Sequence, residues 1–158
     1  MHAPEPRPVE SGTYPAWDGA LALLNRDLAA TLPDERPLRL LALPPFQPDE
    51  PDYVYVALAN GEWHGNCLPP ESAADPAAAL AAVTEAAQDT LTERLWQAWP
   101  VCPDHRLGMH PREEDSTLAW WCAGKPGRHA LPHLHAPVGA LDTTVRPRRP
   151  HRKKHRPR

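Results

Sequence analysis

"WPVCPDHRLGMHPREEDSTLAWWCAGKPGRH", residues 99–129, gathers two of the chain's three cysteines and three of its nine histidines. The stretch is short of aliphatic residues and carries no helical period, so by itself it buries little apolar area. A small element of that composition needs a cross-link. The spacing offers one. Cys102 and His105 are separated by two residues, with Pro103 stiffening the turn, as in a turn that presents two side chains inward to zinc. Cys122 follows after a gap that fits a hairpin, and His129 lies beyond a loop containing Gly124 and Gly127. Cys102, His105, Cys122 and His129 are therefore the expected ligands of a structural Zn2+. His110, His133 and His135 stand as substitutes for the fourth position.

Working outward, the segment before this one reads as a long helix. Asp75 is an N-cap residue and Pro76 suits the first helical position. Leu80, Val83, Ala87, Leu91, Leu95 and Ala98 then line one face, and Pro100 ends the element. A first helix is expected over 14–32, where Trp17, Leu21, Leu24, Leu28 and Leu32 draw one stripe. Between the helices, 36–43 reads as a short strand. Residues 53–67 read as a hairpin with Asn60-Gly61 at its tip, the preferred pair for a two-residue type I′ turn.

In that register Val54, Val56, Leu58, Trp63, Gly65 and Cys67 share the core face, which makes Cys67 a buried thiol rather than a ligand. Tyr55, Glu62, His64 and Asn66 share the opposite face, which reads as solvated surface. A short strand is expected at 117–121, with a return somewhere in 129–139. The expected fold is α+β: helix, three-stranded antiparallel sheet, long helix, then a small C-terminal zinc-ribbon-like element.

Composition sets the limits around this body. The 22 prolines crowd the ends and connectors. Residues 1–13 are thus expected to be a disordered Pro-rich leader, 14–99 the α+β domain, 100–142 the ribbon packed on it, and 143–158 a disordered basic tail. Residues 1–145 hold nine Lys/Arg against all 20 Asp/Glu, whereas "RPRRPHRKKHRPR", residues 146–158, holds eight Lys/Arg and no acid. Such a tail implies weak, sequence-blind attraction to nucleic acid at most, since it has no aromatic residues for stacking. No long apolar run predicts a membrane span and no secretory signal is expected, so the cytoplasm is the expected compartment.

The stretches "YVYVALANGEWHGN", "AAQDT", "LWQAWPVCPDHRLGMHP" and "LAWWCAGKPGRHALPHLHAPVGAL" together resemble a group of small proteins of high-GC actinobacteria. The resemblance covers most of residues 53–141 and excludes the tail. It implies a soluble bacterial protein, with Cys102, His105, Cys122 and His129 at the group's recurring Cys and His positions, and no assigned activity. No nucleophile elbow, phosphate loop, dinucleotide fingerprint or His-Glu-x-x-His is present. Glu113, Glu114 and Asp115 read as a solvated loop. A closed Cys2His2 site has no open position for water, so the expected role is a binding or adaptor protein with a protein partner. The alternatives are nucleic-acid association through tail and ribbon, or a zinc hydrolase in which water replaces one ligand.

Overall fold

In a computed structural model, residues 3–125 and 131–144 are described. Two helices and two three-stranded antiparallel sheets share one hydrophobic core. The first sheet has the order β1-β2-β3, formed by β1 (Arg7–Pro8), β2 (Arg39–Leu43) and β3 (Tyr53–Ala57). The second has the order β4-β5-β6, from β4 (His110–Glu114), β5 (Thr117–Cys122) and β6 (His133–Pro137). Helices α1 (Pro15–Thr31) and α2 (Pro76–Leu95) pack on each other, and α2 touches β3, β4 and β5.

Both helices start as their prolines and caps dictate. The Asp75 carboxylate accepts the Ala78 N–H at 2.9 Å, and Pro76 opens α2. The helix ends at Leu95 rather than running on to Pro100, because Trp96 turns left-handed with φ 54°. That position normally favours glycine, yet here it holds a tryptophan that is 90 % exposed.

On α1 the buried residues are Trp17, Ala20, Leu24, Asp27 and Leu28. Leu21 and Leu32, expected in the stripe, are only half-buried, and the apolar face instead admits a carboxylate. Asp27 is 0 % exposed. Its Oδ2 accepts the Trp120 indole N–H at 2.8 Å and the Gly139 N–H at 2.7 Å, while its Oδ1 accepts the Leu141 N–H at 3.0 Å. One helical turn later, Thr31 Oγ1 accepts the Trp99 indole N–H at 2.9 Å. The two indoles meet edge to face at 5.6 Å. Helix α1 thus holds the C-terminal sheet through two tryptophans and one backbone turn. Gly139 is required in that turn. Its φ is +96°, and a Cβ there would lie 2.5 Å from Leu23 Cδ2.

Several expectations for the N-terminal half need correction. The leader contributes β1, whose Arg7 and Pro8 pair with Ala42 and Leu41, and Arg7 forms an ion pair with Asp52. Proline is tolerated there because β1 is an edge strand. The 53–67 hairpin is not formed as expected. Asn60-Gly61 does occupy a turn, with Gly61 at φ +91°, but the Leu58 N–H donates to Glu62 O at 2.8 Å. The loop is therefore one residue longer than the type I′ register, and such a slip changes which side chains share a face.

Among the described residues no second strand forms beside β3, whose free edge takes one backbone bond, from Leu68 N–H to Val54 O at 2.7 Å. Instead the Thr90 hydroxyl of α2 donates to Val56 O at 2.8 Å and accepts the His64 N–H at 3.1 Å, and Arg94 donates to Trp63 O. Val54, Val56 and Leu58 are buried as expected. Trp63 instead stacks on Tyr55 at 4.8 Å, Gly65 is exposed, and Cys67 is half-buried rather than buried.

The C-terminal half adds a strand that lacks an apolar signature. Arg112 pairs with Ala119 and Glu114 with Thr117, so the expected acidic loop is in part β4. Asp115 and Ser116, both at positive φ, form the two-residue turn into β5. From α2, Gln88 Nε2 donates to Met109 O at 2.9 Å and to Trp99 O at 3.1 Å, fixing the segment between helix and sheet.

Two stability outcomes follow. Asp27→Ala leaves three buried donors unpaired and should cost about 3 kcal/mol or more, read by denaturant unfolding. Burial pushes the Asp27 carboxyl above its ordinary value of 3.8, against the pull of the Trp120, Gly139 and Leu141 donors. The stability linked to that shift is complete below 3.8 and is lost as pH rises through the raised value, so the gap between wild type and Asp27→Asn should narrow with rising pH. Separately, Thr84 Oγ1 is buried with no hydrogen-bond partner among the described residues, so Thr84→Val should stabilise by about 1 kcal/mol.

Candidate metal centre

The chain between α2 and β4 folds back on itself. Val101 bridges Gly108, and Cys102 N–H donates to Leu107 O at 2.8 Å. Arg106 N–H donates to Cys102 O at 2.7 Å, with Arg106 at φ 56°. This tight turn places Cys102 and His105 on the same side. The second pair of donors comes from the sheet. Cys122, the last residue of β5, lies directly opposite His133, the first of β6.

Cys102, His105, Cys122 and His133 form a group whose ligand atoms all lie within 4.8 Å of one another. Cys102 Sγ is 3.7 Å from His105 Nδ1 and 3.8 Å from His133 Nε2, and Cys122 Sγ is 3.4 Å from His105 Nδ1. A tetrahedral ion with bonds of about 2.3 Å to sulfur and about 2.0–2.1 Å to nitrogen sets S···N edges of about 3.5–3.6 Å. All three separations fall within a few tenths of an ångström of that value, so the group is able to hold a metal ion.

Both sulfurs are fully buried and both imidazoles half-buried. The Gly124 N–H donates to Cys122 Sγ at 3.4 Å, an outer contact of the kind that orients a sulfur ligand.

Three of the four expected ligands, Cys102, His105 and Cys122, come together here, and His133, one of the substitutes, completes the set. His129 lies outside the described residues. His110 is exposed on β4 and His135 sits one alternate position along β6, so neither belongs to the group. Cys67 is also outside it. The arrangement differs from the expected ribbon. One pair sits on a turn, but among the described residues the other pair is formed across two strands. The signal for His133 lay in "HLHAP", read as part of a returning strand and as holding two of the three substitute positions. What selects His133 is its register against Cys122.

His135 meets His133 edge-on at 5.8 Å. Burial lowers its pKa below the ordinary histidine value, nearby His133 adds to the effect, and Asp104 opposes it. Of the residues expected on the polar hairpin face, Glu62, His64 and Asn66 are exposed.

Metal content should follow this geometry. Cys102→Ser, Cys122→Ser and His133→Ala should each release the ion and lower the melting temperature, while Cys67→Ser and His110→Ala keep both. Elemental analysis beside thermal melts reads the outcome. A His129→Ala variant that loses its ion while His133→Ala keeps it would reassign the fourth ligand.

No protein-family model, curated protein or solved structure matches the chain, so the resemblance to actinobacterial proteins finds no support in these comparisons and the site stands on its geometry.

Proposed function

We propose that the protein is a small binding module whose C-terminal sheet is locked to its helices by one structural Zn2+, held by Cys102, His105, Cys122 and His133. The observation that carries this reading is the mutual closeness of two buried sulfurs and two ring nitrogens. Mixed thiolate and imidazole donors in tetrahedral spacing favour zinc over the hard cations, which take oxygen. Four protein donors fill the shell and leave no place for an activated water. The ion's contribution is then to folding, since a structural site's binding energy is largely folding energy.

The position of the donors supports a folding role. The turn carrying Cys102 and His105 is covalently continuous with α2, while Cys122 and His133 belong to β5 and β6. A single ion would therefore fasten the sheet to the segment leaving the helix. Four donors complete the shell in this reading, and the zinc hydrolase, in which water replaces one of them, is the alternative. A binding role, with a protein partner first in line, is the reading that accords with a closed site.

The protein purified without added metal should contain one zinc per chain. Chelation should lower its melting temperature by more than about 10 °C, and re-addition of Zn2+ should restore it. Hydrolysis of ester and phosphodiester substrates should stay at the buffer rate. A histidine variant that keeps its zinc and melting point yet loses a wild-type activity would replace this reading with the hydrolase.

A further inference from the structure

An antiparallel sheet that packs on helices by one face ordinarily turns polar side chains outward from the other. The first sheet departs from that rule. Leu40, Ala42, Val54 and Val56 point into the core. The register sets Arg39 opposite Ala57, Leu41 opposite Tyr55 and Leu43 opposite Tyr53. By alternation these six are the outward positions, and Arg39 alone among them is charged. The loop after β3 folds onto one end of this face. Gly61 lies against Leu41, both Leu41 and Ala57 are buried, and Arg39 donates to Ala59 O at 3.3 Å.

Beyond that loop the face is aromatic. Tyr53 and Tyr55 are half-buried neighbours on β3. Phe46 packs on Tyr53 with ring centres 5.7 Å apart, although it is itself 91 % exposed. Trp63 stacks on Tyr55 at 4.8 Å. Two strand residues span about 7 Å, so the four rings form a continuous strip roughly 17 Å long. Carboxylates stand at both ends of it. Glu50 accepts the Tyr53 hydroxyl at 3.4 Å, with Asp49 beside it in the chain, and Glu62 directly precedes Trp63. All three acids are exposed, and none is in an ion pair among the described residues.

We infer that this strip is the docking face for an extended segment of a partner protein, rich in proline and carrying arginine. A row of exposed rings suits the polyproline II conformation, which presents apolar pyrrolidine rings and has no internal hydrogen bonds to break. At about 3.1 Å per residue, five or six such residues cover the strip. Three residues make one turn, so arginines three apart lie on one side, where they meet the carboxylates and stack on the rims of the rings. An acidic segment or a phosphate backbone instead meets like charge at either end. The inference deepens the binding role proposed above by giving the partner's chemistry, and rests on that role. It uses no residue of the metal centre.

Three capped nonapeptides test it on the 15N-labelled full chain as purified. One is built of prolines with two arginines three residues apart, one has glutamates in place of the arginines, and one has glycines in place of the prolines. The Trp63 indole N–H resonance is followed, with the Trp17 indole N–H, which donates to Ser72 in the core, as the resonance that stays still. The arginine peptide should move the Trp63 resonance saturably, and at low salt should bind at least about fivefold more tightly than either of the others. Phe46→Ala should weaken it at least about threefold with the melting temperature unchanged. Asp49→Asn combined with Glu50→Gln should cut its advantage over the glutamate peptide at least about twofold. No saturable shift, equal or tighter binding of either control peptide, or indifference to both variants would overturn the proposal. Residues 146–158 lie outside the described ones, and they supply one rival occupant. A Trp63 resonance that moves in the peptide-free chain on Arg146→Gln, Arg148→Gln and Arg149→Gln would assign the strip to that segment, and one that moves on dilution alone would assign it to a second copy. Either result overturns the partner assignment. Zinc content and the chelation melt are read on the same preparation, so a failure here with those intact strikes the docking face alone.

Discussion

A buried carboxylate on the first helix holds the two halves of this molecule together. Asp27 stands among apolar residues, and all three of its partners come from the far end of the chain: the Trp120 indole and the N–H groups of Gly139 and Leu141. An unpaired charge at such a depth costs several kcal/mol. The carboxylate is tolerable only if the C-terminal turn delivers its two amides and β5 delivers its indole. In return it fixes the depth and the rotation of the second sheet against α1. Trp99, bonded to Thr31 one turn further along, sets the same relation at a second point. With two attachments one helical turn apart, the sheet is held against rolling on the helix.

The metal donors lie downstream of that constraint. Trp120 and Cys122 belong to the same strand, and Trp99 immediately precedes the turn that holds Cys102. Seating the two indoles therefore brings β5 and the Cys102 turn near one another before any ion is present. A site assembled in this way is organised by apolar burial and hydrogen bonds, and an ion would tighten it. The buried sulfurs belong to the same core as Trp99 and Trp120, so the C-terminal element is continuous with the α+β body and has no separate core of its own.

What could be read in the sequence was what depended on neighbours in the chain. Asp75-Pro76 opens α2 as capping requires, and Pro15 opens α1. Cys102 and His105 could be paired because one turn presents both. Asp27 was missed because its charge argues for solvent, although it sits three residues after Leu24 and seven after Ala20, inside the buried stripe. Its justification lies more than 90 residues away. Strand β4 was missed because "HPREE" has no apolar alternation, being a largely exposed edge paired with β5. The 53–67 hairpin failed for a related reason: Asn60-Gly61 specified a turn, but the Thr90 hydroxyl on α2 claimed the Val56 carbonyl that a second arm would have used. His133 could be named from the sequence only as one of three substitutes, and its register opposite Cys122 is what singles it out.

The treatment of the sheet edges has a consequence for how the molecule behaves in a crowded solution. An open strand edge invites another chain to add to it, the first step toward aggregation. Here β1 is only two residues long and ends in Pro8, and the far side of β3 has part of its backbone engaged by α2. At the edge of the second sheet, β4 carries Pro111, which has no N–H to offer, followed by Arg112, Glu113 and Glu114. Proline and alternating charge at an edge discourage a foreign strand from docking. Recognition by strand addition is thereby disfavoured on these three edges.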